Sequence, residues 1–211
     1  MIKLLQKLYQ SHHQSGSRLN QSLLEETRGK LFSGWIGTNK KVLDLGCRDG
    51  TLTRHFTNQN WVTGADIDSN ALKFAKKAYK IDTQQVDLNS TLPFKDEEFD
   101  VIVMGEVLEH LPYWGITLPE VKRILKRNGK LVGSIPLAYH INDRVRVLRG
   151  KNLLISMDPT HVKFLSYDDF ICHIKAYFKV KEITVLQGGK GWKSKYPKIF
   201  ARNIAFCLEN I

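Results

Sequence analysis

Cysteine is scarce in this chain: Cys47, Cys172 and Cys207 are the only three in 211 residues. An odd number, wide spacing and no CxxC pair exclude a disulfide framework and a structural zinc site. Free thiols in a reducing cytoplasm are the expectation. No apolar run reaches the roughly 20 residues that span a bilayer, so no membrane span is expected. Residues 1–10 have apolar side chains at helical intervals but neither a long apolar core nor a small-residue cleavage site, which excludes a signal peptide. Repeats and low-complexity tracts are missing as well. His12 and His13 are adjacent, point apart on any helix and have no carboxylate close in sequence, so no metal is expected.

What is present suits one α/β domain with small additions, 42% of residues being hydrophobic. The formal net charge of +11 is the outlying number. Part of it falls at Lys122, Arg123, Lys126 and Arg127, near a helix end where cations suit the helix dipole. Another part lies in the tail, at Lys190, Lys193, Lys195, Lys198 and Arg202 around Trp192 and Tyr196. A solvated surface, an anionic small substrate or glycan, and a nucleic acid all remain open on charge alone.

Residues 1–36 read as a helical lead-in, with Leu4, Leu5 and Leu8 on one stripe and Leu19, Leu23, Leu24, Leu31, Phe32 and Trp35 on another. The polar residues 11–17 between them read as a loop. From residue 37 onward strands and helices alternate, which argues for a parallel sheet with right-handed crossovers. Val42 to Leu45 is the first strand, and a helix is expected from the following turn to about Asn58. The next strand closes at Asp66, and Asp68 and Ser69 resemble the start of the helix that follows, with Ser69 the preferred cap. A short strand near Thr83 to Val86 leads to Asp87 and Leu88. Val101 to Met104 is an unbroken apolar run, as in strands buried on both faces. Leu118 to Leu125 is an amphipathic helix expected to stop at Asn128-Gly129, before a strand at Leu131 to Ile135. Residues 137–160 show no periodicity. Ser166 caps a helix to about Tyr177, and strands near Val180 to Leu186 and Asn203 to Leu208 complete the pattern.

The chemistry concentrates at residues 41–50, KVLDLGCRDG. A buried strand breaks at Gly46 and Gly50 and re-enters as a helix, which brings backbone close to a ligand at the carboxyl edge of a sheet. No Lys-Ser/Thr pair follows, against a P-loop, and the Asp-x-Gly-x-x-x-Gly spacing is not the three-glycine dinucleotide fingerprint. Asp66 closes the next strand, where a carboxylate can grip a ribose diol.

These residues resemble the cofactor motif of class I S-adenosylmethionine-dependent methyltransferases, close to the small single-domain type 11/12 group. The resemblance implies a Rossmann-like seven-stranded sheet, mostly parallel with an antiparallel last strand, preceded by N-terminal helices. It implies a methyltransferase domain at 37–211, with 137–165 an acceptor-side insertion. S-adenosyl-L-methionine is the implied cofactor, lying along Asp44, Gly46, Cys47 and Gly50 at its methionine end. Asp66 takes the ribose, Ile67 and Leu88 flank the adenine, Asp87 accepts from its amine, and Glu106 lies where cofactor meets acceptor. Arg48 stands where such proteins usually carry a third glycine, so it must take a compatible dihedral or point away.

The Glu109-His110 pair resembles one found after strand four in small-molecule methylating relatives. His110 is the expected base, with Glu106 and His161 beside it and His140 a weaker candidate; a structural histidine packing the loop is the alternative. Tyr113, Trp114 and Tyr139 are candidate walls of the acceptor site. Arg144, Arg146, Arg149 and Lys151 are candidate anion holders, with a solvated basic loop as the alternative. The expected function is methyl transfer to a small-molecule or glycan-linked acceptor at oxygen. The Asn-Pro-Pro-Tyr/Phe signature of base-amine methylation is absent, since that position reads Met104-Gly-Glu-Val. An RNA methyltransferase acting on ribose and a non-catalytic binding subunit of the same fold are the rival readings.

Overall fold

Alternation within the strands decides the architecture. The computed structural model describes residues 2–15, 19–188 and 191–211. Seven strands form one sheet: β1 (Lys41–Leu45), β2 (Trp61–Asp66), β3 (Asp82–Gln85), β4 (Phe99–Gly105), β5 (Leu125–Pro136), β6 (Phe178–Gln187) and β7 (Asn203–Asn210). Their order is β3-β2-β1-β4-β5-β7-β6. The pairs from β3 through to β5 are parallel, while β7 runs antiparallel to both β5 and β6. That is the expected sheet, mostly parallel with a reversed last strand.

Successive side chains of a strand point to opposite faces. Leu43, Leu45, Ile102 and Met104 therefore enter one core, with α4 (Trp114–Ile124) and α6 (Tyr167–Lys175) packed over it. Val42, Val101 and Val103 enter a second core beneath α2 (Glu25–Ile36) and α3 (Ser69–Tyr79). Both faces are covered, which is why these strands read as unbroken apolar runs. α1 (Ile2–Ser15) precedes the layers, and α5 (Ile141–Leu148) and α7 (Pro197–Phe200) lie in the connections flanking α6 and β6.

Several local expectations change. Residues 11–15, expected as loop, continue α1, while Gly16 and Ser17 lie outside the described residues. The helix expected after the first turn is a single 3-10 turn, Thr53–Phe56. Asp68, not Ser69, caps α3, its extended backbone and side-chain oxygen placed to accept from the amides of Asn70 and Ala71. α4 ends at Ile124, and Leu125 already pairs with Phe99 of β4, so Asn128 turns within the strand segment instead of closing the helix. Residues 137–160 contain α5, capped by the His140 ring. The Ser166 cap stands, as a reciprocal capping box with Asp169.

Candidate active site

The sheet order reverses at β1, whose two neighbours β2 and β4 are reached by crossovers in opposite directions. Open α/β sheets bind ligands in the crevice outside the carboxyl ends of the strands at such a point. A cavity of about 550 Å³ opens there, a volume suited to a cofactor-sized ligand. α1 roofs it with Leu5, Tyr9, His12 and His13.

On one side of the cavity the strand ends deliver carboxylates. Asp44 at the end of β1 is buried and accepts from Thr53 Oγ1 at 2.6 Å. Burial pushes it up to about 7, against the pull of that hydrogen bond. Gly46 follows at φ +77°, where a Cβ would stand 2.5 Å from Val107 Cγ2, so any other residue would be both strained and obstructed. Asp66 at the end of β2 takes the Asp68 amide on Oδ1 at 2.8 Å and the Arg48 amide on Oδ2 at 2.9 Å. Each oxygen keeps a second lone pair for a ligand. Burial raises the Asp66 pKa despite those two bonds.

Ile67, Asp87, Leu88 and Glu106 also line the cavity. Asp87 is oriented by Asn89, whose amide donates to Oδ1 at 2.9 Å. Glu106 is spoken for on both oxygens, accepting from Ser134 Oγ at 2.7 Å and Asn203 Nδ2 at 3.2 Å.

Arg48 takes the compatible dihedral and still lines the cavity. Its φ is +50°, and its guanidinium bonds the Gln21 carbonyl and pairs with Asp49. Cys47 lines the cavity, but its thiol lies over Gly64, where a Cβ would meet Sγ at 2.8 Å. Burial raises that thiol well above its usual pKa, so it is no nucleophile. Gly50 is not brought to the cavity: it packs the turn onto α3, with Tyr79 2.7 Å from where a Cβ would lie.

The other side gathers Glu109, His110 and His161, three cavity-lining residues whose ligand atoms lie within 4.8 Å of one another. His110 Nδ1 faces the Thr160 carbonyl at 3.1 Å and His161 Nδ1 faces the Ile155 carbonyl at 2.9 Å. A carbonyl only accepts, so both Nδ1 atoms carry a proton, and in a neutral ring Nε2 then presents a lone pair. Burial, then the nearby His161, pulls the His110 pKa down to about 4, so its ring is neutral. Burial raises Glu109 well above its ordinary value, and neither of its oxygens has a hydrogen-bond partner among the described residues. The Val162 and Lys163 amides donate to the Glu109 carbonyl at 2.9 and 3.0 Å, which ties the two segments together.

The sequence named Glu109 only as the neighbour of His110, and it passed over Tyr9, Arg28 and Asp158. Arg28 is the largest omission. This guanidinium, 2% exposed, lines the cavity from α2, donating to the Leu23 carbonyl, Ser134 Oγ and Ser22 Oγ. It sits on the buried face of α2, in line with Phe32 and Ile36, where the weak periodicity of the helix gave no signal for a charged residue.

Other candidates lie elsewhere. His140 caps α5 beside Arg202. Trp114 is core, donating to the Leu108 carbonyl, and Tyr113 and Tyr139 are exposed. None of these, nor Arg144, Arg146, Arg149 or Lys151, lines the cavity. Arg144 and Arg146 instead donate to chain carbonyls at Tyr139 and Asn152. In the tail, Lys198 pairs with Asp168, and Lys190 lies outside the described residues.

Taken together the donor set fits an elongated ligand with hydroxyl, amine or cationic groups for the carboxylates, and one anionic group for Arg28.

Comparison with known proteins bears on what that ligand is. The family described as "Methyltransferase domain" matches residues 43–133. A ubiquinone biosynthesis O-methyltransferase of Pasteurella multocida is 36% identical over 151 residues, covering 64% of this chain and 60% of that protein. The chain thus spans less than two thirds of the length of that curated relative. A SAM-dependent methyltransferase from Archaeoglobus fulgidus superposes with a TM-score of 0.68 at 17% identity, covering 89% of this chain and 93% of the other. The [4+2]-cyclase SpnF superposes nearly as well, with a TM-score of 0.67 at 14% identity over 86% of this chain and 80% of its own. Fold alone therefore does not fix the reaction.

Proposed function

The chain belongs to the class I S-adenosylmethionine-dependent methyltransferases, and from that premise we propose that it methylates a small molecule at a hydroxyl oxygen. The Pasteurella relative, by its name an O-methyltransferase acting in ubiquinone biosynthesis, supports the acceptor class. The observation that carries the assignment to oxygen is the acceptor side of the cavity. Both rings hold their Nδ1 protons on backbone carbonyls there, which leaves Nε2 of the neutral His110 ring as a proton acceptor. A hydroxyl presents a proton to such a nitrogen and a nucleophilic oxygen to the cavity.

S-adenosylmethionine supplies an electrophilic methyl group on a sulfonium sulfur. The chain's own residues orient and align. Asp66 holds the ribose diol on its two free lone pairs, and Ile67 and Leu88 flank the adenine, whose amine Asp87 accepts. Arg28 takes the carboxylate of the methionine moiety. Asp44 and the Gly46 turn bound that same end, and the roof of α1 excludes water. Methyl transfer is an in-line displacement, so alignment of the acceptor oxygen accounts for most of what the protein must do.

The test is a calorimetric titration with S-adenosylhomocysteine, followed by transfer of labelled methyl to phenols and catechols, with sugars and RNA in parallel. Micromolar binding and label in the phenolic ethers are the expected results. No binding, or label recovered only in RNA, would overturn the proposal.

A further inference from the structure

We propose that Glu109, His110 and His161 form a binding site for one divalent first-row transition cation on the acceptor side of the cavity.

Three observations converge. The first is an electrostatic vacancy. Glu109 is 1% exposed, and neither carboxylate oxygen has a hydrogen-bond partner among the described residues. Leaving such a group unpaired is costly in a low-dielectric interior. Its nearest neighbours do not relieve it: His110 Nε2 is 3.9 Å away and His161 Nε2 is 4.0 Å away, too far for a shared proton.

The second is ligand orientation. Both rings donate Nδ1–H to a backbone carbonyl, Thr160 for His110 and Ile155 for His161. The two Nε2 atoms thus face the Glu109 carboxyl, whose proton a bound cation would displace. Metal-binding histidines are held in this way, the distal nitrogen fixed by a carbonyl so that Nε2 is aimed and basic.

The third is spacing. At metal–ligand lengths of about 2.0–2.2 Å, neighbouring ligand atoms stand roughly 3.0–3.5 Å apart. The observed 3.9 and 4.0 Å need only a small inward movement of two rings. The Glu109 carbonyl, bonded to the Val162 and Lys163 amides, already keeps the two segments in register.

Two imidazoles and a carboxylate suit Zn2+, Mn2+ or Fe2+ better than Mg2+ or Ca2+, which prefer oxygen alone. Asp158 Oδ2 stands 3.8 Å from His161 Nε2, beside the cluster. The remaining coordination positions open onto the cavity that all three residues line. The cation's role, which rests on the methyl-transfer reading, is to bind the acceptor hydroxyl directly and lower its pKa, so that the proton leaves to solvent instead of to the three ligand side chains.

The experiment uses the full chain after dialysis against a chelator. Zn2+ and Mn2+ are titrated calorimetrically, with Mg2+ for comparison and the Mn2+ spin signal as a second readout. One equivalent of Zn2+ or Mn2+ per chain is expected. Glu109→Gln and His161→Ala should each weaken binding at least tenfold, whereas His173→Ala, at an exposed position of α6, should bind like the parent. S-adenosylhomocysteine affinity, measured on the same metal-free samples, shows that the variants are folded and tests the methyl-transfer reading separately. No stoichiometric binding by the parent chain, or unchanged binding in both Glu109→Gln and His161→Ala, would overturn the proposal whatever the nucleoside result.

Discussion

Asp44 and Asp66 end neighbouring strands, and burial acts on both, yet they invite different tests. Asp66 is already oriented by two backbone amides, so its remaining lone pairs face a ligand at little entropic cost. Asp66→Ala should weaken S-adenosylhomocysteine binding by about 10- to 100-fold, the usual worth of hydrogen bonds to a charged group. Lys76→Ala on α3 is the control; equal affinities for the two variants would remove Asp66 from the ribose site.

Asp44 instead makes a prediction about pH. Its folded pKa is raised from 3.8 to about 7, so the folded state holds the proton more tightly than the unfolded chain. Its contribution to stability is complete below pH 3.8 and is lost as pH rises through about 7. Asp44→Asn, which keeps an oxygen for Thr53, removes that dependence. The variant should gain on the parent between pH 5 and pH 8, by an amount on the order of a few kcal/mol in urea unfolding. A constant difference across that range would show that Asp44 is not held protonated by burial.

At the scale of elements, α1 is the roof of the site, and two of its polar ties run to the start of α3. His13 Nδ1 pairs with Asp68 Oδ2 at 2.9 Å, and Gln6 donates to Ser69 at 3.1 Å. Losing one such bond costs about 1 kcal/mol. His13→Ala should therefore speed amide exchange in residues 2–15 and weaken S-adenosylhomocysteine binding about five- to tenfold. Ser166→Ala is the contrasting case. It breaks the α6 capping box and should cost about 1 kcal/mol of stability while leaving nucleoside affinity unchanged, because Ser166 does not line the cavity.

The same elements show what the sequence could carry. β1 and β4 were legible because both faces are buried, which leaves no polar alternation to confuse them. Asp66 was legible because a lone acidic residue ends a largely apolar strand, and Asp87 because it comes just after the short strand that follows the next helix. α5 was missed because Arg144, Arg146 and Arg149 interrupt a short apolar stripe, and an unusual His140 ring caps it. The meeting of His161 with Glu109 was illegible for another reason. Fifty-odd residues separate them, and no local pattern records that the Glu109 carbonyl binds two amides of the later segment.

For the molecule as a whole, ligand binding and folding share one free energy. A ligand that binds only the folded state at 100 times its Kd adds about 2.7 kcal/mol. For a chain of this size that is roughly 5–10 °C in Tm. S-adenosylhomocysteine should produce such a shift in the parent chain and little in Asp66→Ala at the same concentration. The net charge of +11 bears on surface encounters rather than on this shift, which should persist when salt is raised, because the cavity groups are shielded from bulk ions.

The place of β7 has a consequence for how the chain is made. β6 touches the sheet only through β7, which lies between it and β5, yet β7 is the later of the two in sequence. On the ribosome, Phe178–Gln187 emerges with no neighbour to pair with, and it waits until Asn203–Asn210 follows. Asn210 then fastens the join, its side-chain amide donating to the carbonyls of Lys122, Leu125 and Lys126. The cofactor crevice can form from β1 to β4 much earlier, but Asn203, which steadies Glu106, arrives only with that final strand. A nascent chain stalled before residue 203 would carry the nucleoside-binding carboxylates without the finished sheet behind them.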